Sequence, residues 1–250
     1  MTGAARGLGA AFAEELATRG VGVLALDRDE GSLDARVRTL RDAGGRAESV
    51  VVDLAAPDFE ARIAEQVGDR EVGLLVNNAA ALQIAELRDH DLDTLMRSQR
   101  IQCDVPLRLA HAHGNEMRAR GRGGIVFVSS LSMLLGGPLI AHYAATKAFN
   151  AVLAEGLFEE LRGTGVDVTT VLGPAMDTPG LRETGARTDH VHVVPTRTVA
   201  KATLDALGRR ARVIVGRDGH LLTHVLQRLT PHDKLRAIVA DQIRAMYGMR

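Results

Sequence analysis

With one cysteine in 250 residues, Cys103, the chain cannot build an intramolecular disulfide framework. That scarcity fits a reducing compartment and reads Cys103 as a small buried hydrophobe rather than a catalytic thiol. Net charge is absent too: 31 basic residues balance 31 acidic ones, so no global field favours nucleic acid or an anionic membrane as partner. No apolar run approaches the roughly 18–20 residues of a membrane span, and no basic segment followed by an apolar one opens the chain. The cytoplasm is the expected address. Neither an internal repeat nor a low-complexity linker divides residues 1–250, so one domain is expected. One more absence bears on the fold: no strand precedes the glycine-rich turn that starts at Thr2.

What is present is an alternation. Short apolar runs, VGVLALD (21–27), ESVVVD (48–53), VGLLVNN (72–78), GIVFVSS (124–130), VDVTTVL (166–172) and ARVIVG (211–216), recur between longer segments of helical period. Runs without polar alternation need shielding on both faces, which predicts an α/β fold with a doubly wound parallel sheet in three α/β/α layers. In that strand order the first strand lies in the middle of the sheet. Its absence predicts either a start further upstream or a rearranged sheet, because an open centre strands ladder groups and apolar faces. Residues 174–195, punctuated by Pro174, Pro179, Gly180, Gly185 and Pro195, are expected to form a loop or substrate lid.

Two constellations carry chemistry. In TGAARGLG, the glycines Gly3, Gly7 and Gly9, with Arg6 and Leu8 between them, run directly into a helical segment. Glycines let backbone approach a pyrophosphate whose charge then rests on free amides at a helix N-terminus. The same cluster also suits a purely structural turn. Eighteen residues past Gly9, Asp27 ends a strand, where a carboxylate accepts hydrogen bonds from ribose hydroxyls and repels a ribose phosphate. This favours NAD, although Arg6 or Arg28 could pair with the phosphate of NADP; a solvated turn residue is the bland reading of Asp27. The second constellation is Tyr143-Ala-Ala-Thr-Lys147, with Ser130 thirteen residues earlier at a strand end. Tyrosine and lysine at i and i+4 share a helix face, so the ammonium is expected to lower the phenol's pKa toward that of a useful acid/base. Ser130 is placed to donate to a substrate oxygen as charge develops there.

With Asp53-Leu54, Asn77-Asn78-Ala79 and Thr178 added, the set resembles the short-chain dehydrogenase/reductase family over most of the chain. The resemblance implies an NAD(P)-dependent oxidoreductase in which Ser130, Tyr143 and Lys147 are catalytic and Lys147 also holds the nicotinamide ribose. By the same resemblance Asp53 and Leu54 serve the adenine pocket, Asn78 and Ala79 steady the central strands beside the cofactor, and Thr178 meets the nicotinamide amide or the phosphates. Gln102 stands where the family usually has an asparagine whose backbone carbonyl holds a proton-relay water. Gly173-Pro174 reverses the family's usual order, and Ala80 replaces a glycine. The resemblance also implies a homodimer or homotetramer joined through helices near 104–120 and 142–162.

The apolar segment LSMLLGGPLI after Ser130, with Met176 and Leu181, predicts a hydrophobic secondary alcohol or ketone as substrate. Two other classes stay open: a regulatory protein that binds nucleotide without turnover, and the same scaffold running a dehydration or cyclisation. The histidine pairs His111/His113 and His220/His224 are read as solvent or core histidines, with no metal expected. The amphipathic tail LLTHVLQRLTPHDKLRAIVADQIRAMYGMR is expected to pack over the cleft or join another subunit, its mixed charge arguing against membrane attachment.

Overall fold

The computed structural model describes residues 1–189, 192–221 and 227–248. All six apolar runs are strands: β1 (Val23–Asp27), β2 (Ala47–Val51), β3 (Leu74–Asn77), β4 (Gly123–Ser130), β5 (Val166–Gly173) and β6 (Arg212–Ile214). Every pairing is parallel, and helices fill the connections. These are α1 (Gly7–Thr18), α2 (Glu30–Asp42), α3 (Phe59–Val67), α4 (Leu92–Gln99), α5 (Val105–Arg120), α6 (Ala141–Glu160), α7 (Pro179–Glu183), α8 (Thr196–Ala206), α9 (Arg217–Leu221), α10 (Gln227–Leu229) and α11 (His232–Met246). The architecture is the expected doubly wound α/β fold.

Alternation along each strand divides the core in two. On β4, Val126 and Val128 face a cluster built with Leu8, Phe12 and Leu16 of α1, Leu33 and Val37 of α2, and Val199 and Leu204 of α8. Their neighbours Ile125 and Phe127 face the opposite cluster, with Phe59 and Ile63 of α3, Leu109 and Met117 of α5, and Ala154 of α6. Successive side chains of a strand point to opposite faces, so a strand covered on both sides shows no polar alternation. Cys103 lies buried, and burial pushes its thiol up to about 11, in keeping with an inert small hydrophobe.

The sheet does not rearrange around the absent strand. It forms two blocks, β1-β2 and β3-β4-β5-β6, separated by a slot of about 1020 Å³ lined by Leu16, Leu24, Leu26, Leu74, Leu75 and Leu109 among others. Only the first residues of the chain cross it. Leu26 N–H donates to Met1 O (2.9 Å), Thr2 N–H to Val76 O (3.0 Å) and Ala4 N–H to Leu26 O (3.1 Å), so the stub bridges β1 and β3 near their C-terminal ends. The Met1 amino group donates to Leu24 O at 2.7 Å inside the slot, and desolvation lowers its pKa to about 5.

Two local features depart from expectation. The segment expected as an irregular loop contains α7, because Thr178 caps it by accepting from Leu181 N–H (3.2 Å) and Pro179 occupies its first turn. Between α4 and α5 the chain makes a π-helical turn, Arg100–Asp104. Its Gln102 carbonyl accepts from Asn150 Nδ2 at 2.6 Å. The tail's α11 lies on the loop after β4: Ile243 packs against Gly137, and Met246 O accepts from Arg187 N–H at 2.8 Å. Of the histidine pairs, His224 lies outside the described residues, while His113 contacts Glu116 at 3.1 Å. Among the described residues, no group of three His, Cys, Asp or Glu side chains could hold a metal, and no helix is long and apolar enough to cross a membrane.

Thr2 is the keystone of the stub. Its hydroxyl oxygen accepts from Asn78 N–H (3.0 Å) and Ala79 N–H (3.1 Å) while the residue is 2% exposed. Thr2→Val keeps the shape and leaves both amides without an acceptor. The expected loss is about 2–4 kcal/mol in urea unfolding, with Thr2→Ser retaining most of the stability.

Candidate active site

Where β1, β3, β4 and β5 end, their C-terminal edges open onto a crevice of about 360 Å³. Every position proposed from sequence lines it except Gln102: Gly3, Arg6, Gly7, Leu8, Gly9, Asp27, Arg28, Asp53, Leu54, Asn78, Ala79, Ser130, Tyr143, Lys147 and Thr178. The larger slot lies elsewhere and takes in none of the fifteen. Gln102 is 1% exposed and sits behind the wall, donating through Nε2 to Ala81 O (3.0 Å) and Ser98 Oγ (2.8 Å). Its carbonyl, expected to hold a relay water, is engaged by Asn150.

At one end of the crevice the glycine turn is set by backbone demands. Gly3 and Gly7 adopt φ of +66° and +58°, which a Cβ would strain. Gly9 is needed for close approach, since a Cβ there would overlap Gly3 O and lie 2.6 Å from Asn78 Nδ2. Asn78 holds the turn in place, donating to Thr2 O (3.1 Å) and Gly3 O (2.9 Å). Asp27 closes the other side: Oδ2 accepts from Ala5 N–H (3.1 Å) and Oδ1 from Arg28 N–H (2.8 Å). No side chain caps the N-terminus of α1 and no acidic residue sits in its first turn, whereas Asp29 caps α2. Uncapped amides with a positive dipole end, reached over bare glycine backbone, fit a pyrophosphate.

Charges around this end are already partnered. Arg6 meets Glu183 at 3.1 Å and Asp29 at 3.9 Å. Both oxygens of Asp53 accept from Arg97 Nη2, at 2.7 and 2.6 Å, and this hydrogen bond, foremost, holds the Asp53 carboxyl below its ordinary range. Arg97 belongs to no motif, and only tertiary folding brings α4 to the end of β2.

At the other end, Ser130 closes β4 and accepts from Ser132 N–H at 3.2 Å, which leaves its hydroxyl proton free to be donated. Tyr143 and Lys147 share one face of α6, with Lys147 Nζ 5.5 Å from the phenol ring centroid. The expected acidification of the phenol by that ammonium is not what the structure has. Lys147 is 3% exposed and donates to Val128 O at 3.0 Å, and burial lowers its pKa to about 8. Burial pushes Tyr143 up to about 12, opposed by a hydrogen bond with Ser130 and reinforced by the neighbouring Tyr247 phenol. Desolvation outweighs the cation at this separation because it acts on the phenolate itself.

Tyr247 was not singled out from sequence, since nothing in the tail's period marks it as a site residue. α11 delivers it next to Tyr143, and it is hydrogen-bonded to Thr184 just after α7. The tail and the segment after Thr178 therefore meet over the catalytic end of the crevice.

Gly9→Ala tests the cradle. The new methyl must displace Gly3 O or Asn78, so NADH and NADPH binding, followed by nicotinamide fluorescence, is expected to weaken at least tenfold. A stability loss of about 1–3 kcal/mol should accompany it.

The geometry agrees with comparisons to known proteins. Residues 1–189 match the short chain dehydrogenase family. Short-chain reductase protein NovJ of Streptomyces niveus is 33% identical over 192 residues, 75% of this chain and 72% of that protein. A 7beta-hydroxysteroid dehydrogenase of Clostridium sardiniense is 29% identical over 178 residues, 71% of this chain and 68% of that protein. Among solved structures, a short-chain dehydrogenase from Sphingobium yanoikuyae in complex with NADPH superposes with a TM-score of 0.80 at 27% identity, covering 100% of this chain and 95% of that one. A glycine cradle under an uncapped helix, a serine, tyrosine and lysine around one crevice, and a family match over three quarters of its length together place this chain in the short-chain dehydrogenase/reductase family of oxidoreductases.

Proposed function

We propose that the chain interconverts an apolar secondary alcohol and its ketone, with NAD as the preferred hydride carrier. The observation that carries this reading is that Ser130, Tyr143 and Lys147 share one crevice with the glycine turn and Asp27. When bound, the nicotinamide ring supplies or accepts the hydride. Tyr143 gives a proton to the carbonyl oxygen in reduction and takes it back in oxidation. Ser130 donates a hydrogen bond to that oxygen as negative charge accumulates. A phenol pushed up to about 12 keeps its proton at neutral pH, which supports carbonyl reduction as the favoured direction there. Lys147, with its pKa lowered to about 8, is mostly charged at pH 7 and is the cation available to a developing phenolate.

Asp27 supports NAD, while Arg28, exposed at the same end, supplies a charge that NADP would use. Parallel titrations with NADH and NADPH decide between them. The apolar substrate class is supported by Met176 on the crevice wall, and by the steroid named for the Clostridium sardiniense relative. Self-association through α5 and α6 is part of the proposal. Leu107, Phe149 and Val152 are exposed on these helices at 45%, 37% and 62%.

Tyr143→Phe is expected to leave dinucleotide affinity within about threefold and to lower turnover on a ketone panel by about 10²–10⁴. Turnover near the parental level would refute the assignment. Lys147→Met separates function from stability. Its folded pKa lies below the unfolded one, so the unfolded chain binds more protons between pH 8 and 10.5, and this lysine's contribution to stability rises with pH across that window. Removing the buried amine should raise stability at pH 7 by on the order of 1–3 kcal/mol while abolishing turnover. The pH-dependent gain between 8 and 10.5 should disappear from its urea midpoints.

A further inference from the structure

Beyond Tyr143, on the side away from the glycine turn, lies a second, closed cavity of about 10 Å³, lined by Gln83, His90, Leu139, His142 and Tyr143 among others. Two of its walls carry buried polar atoms that no group in the protein satisfies: Gln83 Oε1, and both ring nitrogens of His142. Buried orphans of this kind are rare and call for an occupant. The two walls are held together by design of the backbone. Leu139 is the one non-glycine residue with positive φ (+65°) among the described residues, and its carbonyl accepts from Ala85 N–H at 3.1 Å. That bond clamps the loop after β3 to the loop before α6. Strain at such a point is stored where geometry serves a site.

We propose that this cavity receives a hydroxyl group of the substrate, a second one beside the carbon at which hydride is exchanged, so that the preferred substrates are apolar ketones or alcohols bearing a further hydroxyl. The inference rests on the oxidoreductase reading above and deepens it. The donor set selects the group. A neutral imidazole offers one N–H and one bare nitrogen, and Gln83 Oε1 only accepts. A hydroxyl satisfies both, donating to Gln83 and accepting from His142. A ketone oxygen has no proton for Gln83, and a carboxylate would face the amide oxygen with like charge. Burial, with His90 nearby, lowers the His142 pKa and keeps the ring neutral, which agrees with an uncharged guest. The volume admits about one oxygen-sized group. A recognition site that hydrogen-bonds a hydroxyl disfavours the analogue lacking it, because the polar walls are then left unpaired.

The test compares cyclohexanone with 2-, 3- and 4-hydroxycyclohexanone. At least one hydroxylated isomer is expected to exceed the parent in kcat/KM at least tenfold, through KM rather than kcat. In Gln83→Leu and His142→Phe that ratio should collapse to about one, with cyclohexanone serving as the internal reference for general damage. A ratio near one in the unmodified protein, or one that the two substitutions leave unchanged, overturns the inference and assigns the cavity to a structural water. Inactivity on every ketone would instead refute the oxidoreductase reading. The inference is then judged by titrating the protein with cyclohexanediols against cyclohexanol while following the His142 imidazole by NMR, and diols that shift it no more than the mono-alcohol overturn it.

Discussion

A single threonine joins the two halves of this sheet. Thr2 donates its amide to Val76 on β3, bridges to Leu26 on β1, and offers its hydroxyl oxygen to the amides of Asn78 and Ala79. Because β1 and β3 otherwise face each other across an open slot, this short stretch carries the alignment that a full central strand would spread over its whole length. The consequence reaches the crevice directly. Gly3 follows Thr2, Asn78 holds the carbonyls of both, and Asp27 at the end of β1 accepts from Ala5. Dinucleotide cradle and sheet junction are thus one hydrogen-bonded unit, and whatever loosens the junction loosens the cradle.

At the opposite end, desolvation governs the chemistry. Both members of the tyrosine–lysine pair are pushed toward neutrality, Tyr143 up to about 12 and Lys147 down to about 8. The lysine spends a hydrogen bond on Val128 O, and the tyrosine has Ser130 as its stabilising partner. A low-dielectric site makes any new charge expensive, but it also amplifies every dipole already aimed at the place where charge appears. Ser130, held by Ser132 N–H with its own proton free, is such a dipole, and it costs no reorganisation when the substrate oxygen becomes negative.

Most of the architecture was legible in the residues because a doubly covered strand must be apolar on both faces. Ile125, Val126, Phe127 and Val128 announce that geometry in four consecutive positions, and the structure sends them alternately to the two core clusters. The crevice was legible for a related reason: glycines at a strand-to-helix turn and a tyrosine four residues before a lysine are constraints local in sequence. What stayed hidden depends on distant segments. Arg97 reaches Asp53 across 44 positions, and Asn150 captures the Gln102 carbonyl across 48. The π-helical turn that exposes that carbonyl has no periodic signature, and α7 is too short to show one. The phenol's raised pKa was invisible because spacing reports proximity to the ammonium, not the loss of water around it.

Cofactor choice follows from how charges at the adenosine end are already spent. Asp27 engages the amides of Ala5, Arg28 and Asp29, so its orientation is set before any ligand arrives and reorganisation is small. Arg6 is drawn toward Glu183 and Asp29, and Arg97 is committed to Asp53, which removes two of the three guanidinium groups near that end from easy use by a phosphate. The balance between a carboxylate that repels a ribose phosphate and the guanidinium of Arg28 beside it therefore sets the preference. Since these two groups are adjacent in sequence and fixed on the same strand end, neither can move away from the ribose without the other, and discrimination becomes a property of one loop rather than of the whole crevice.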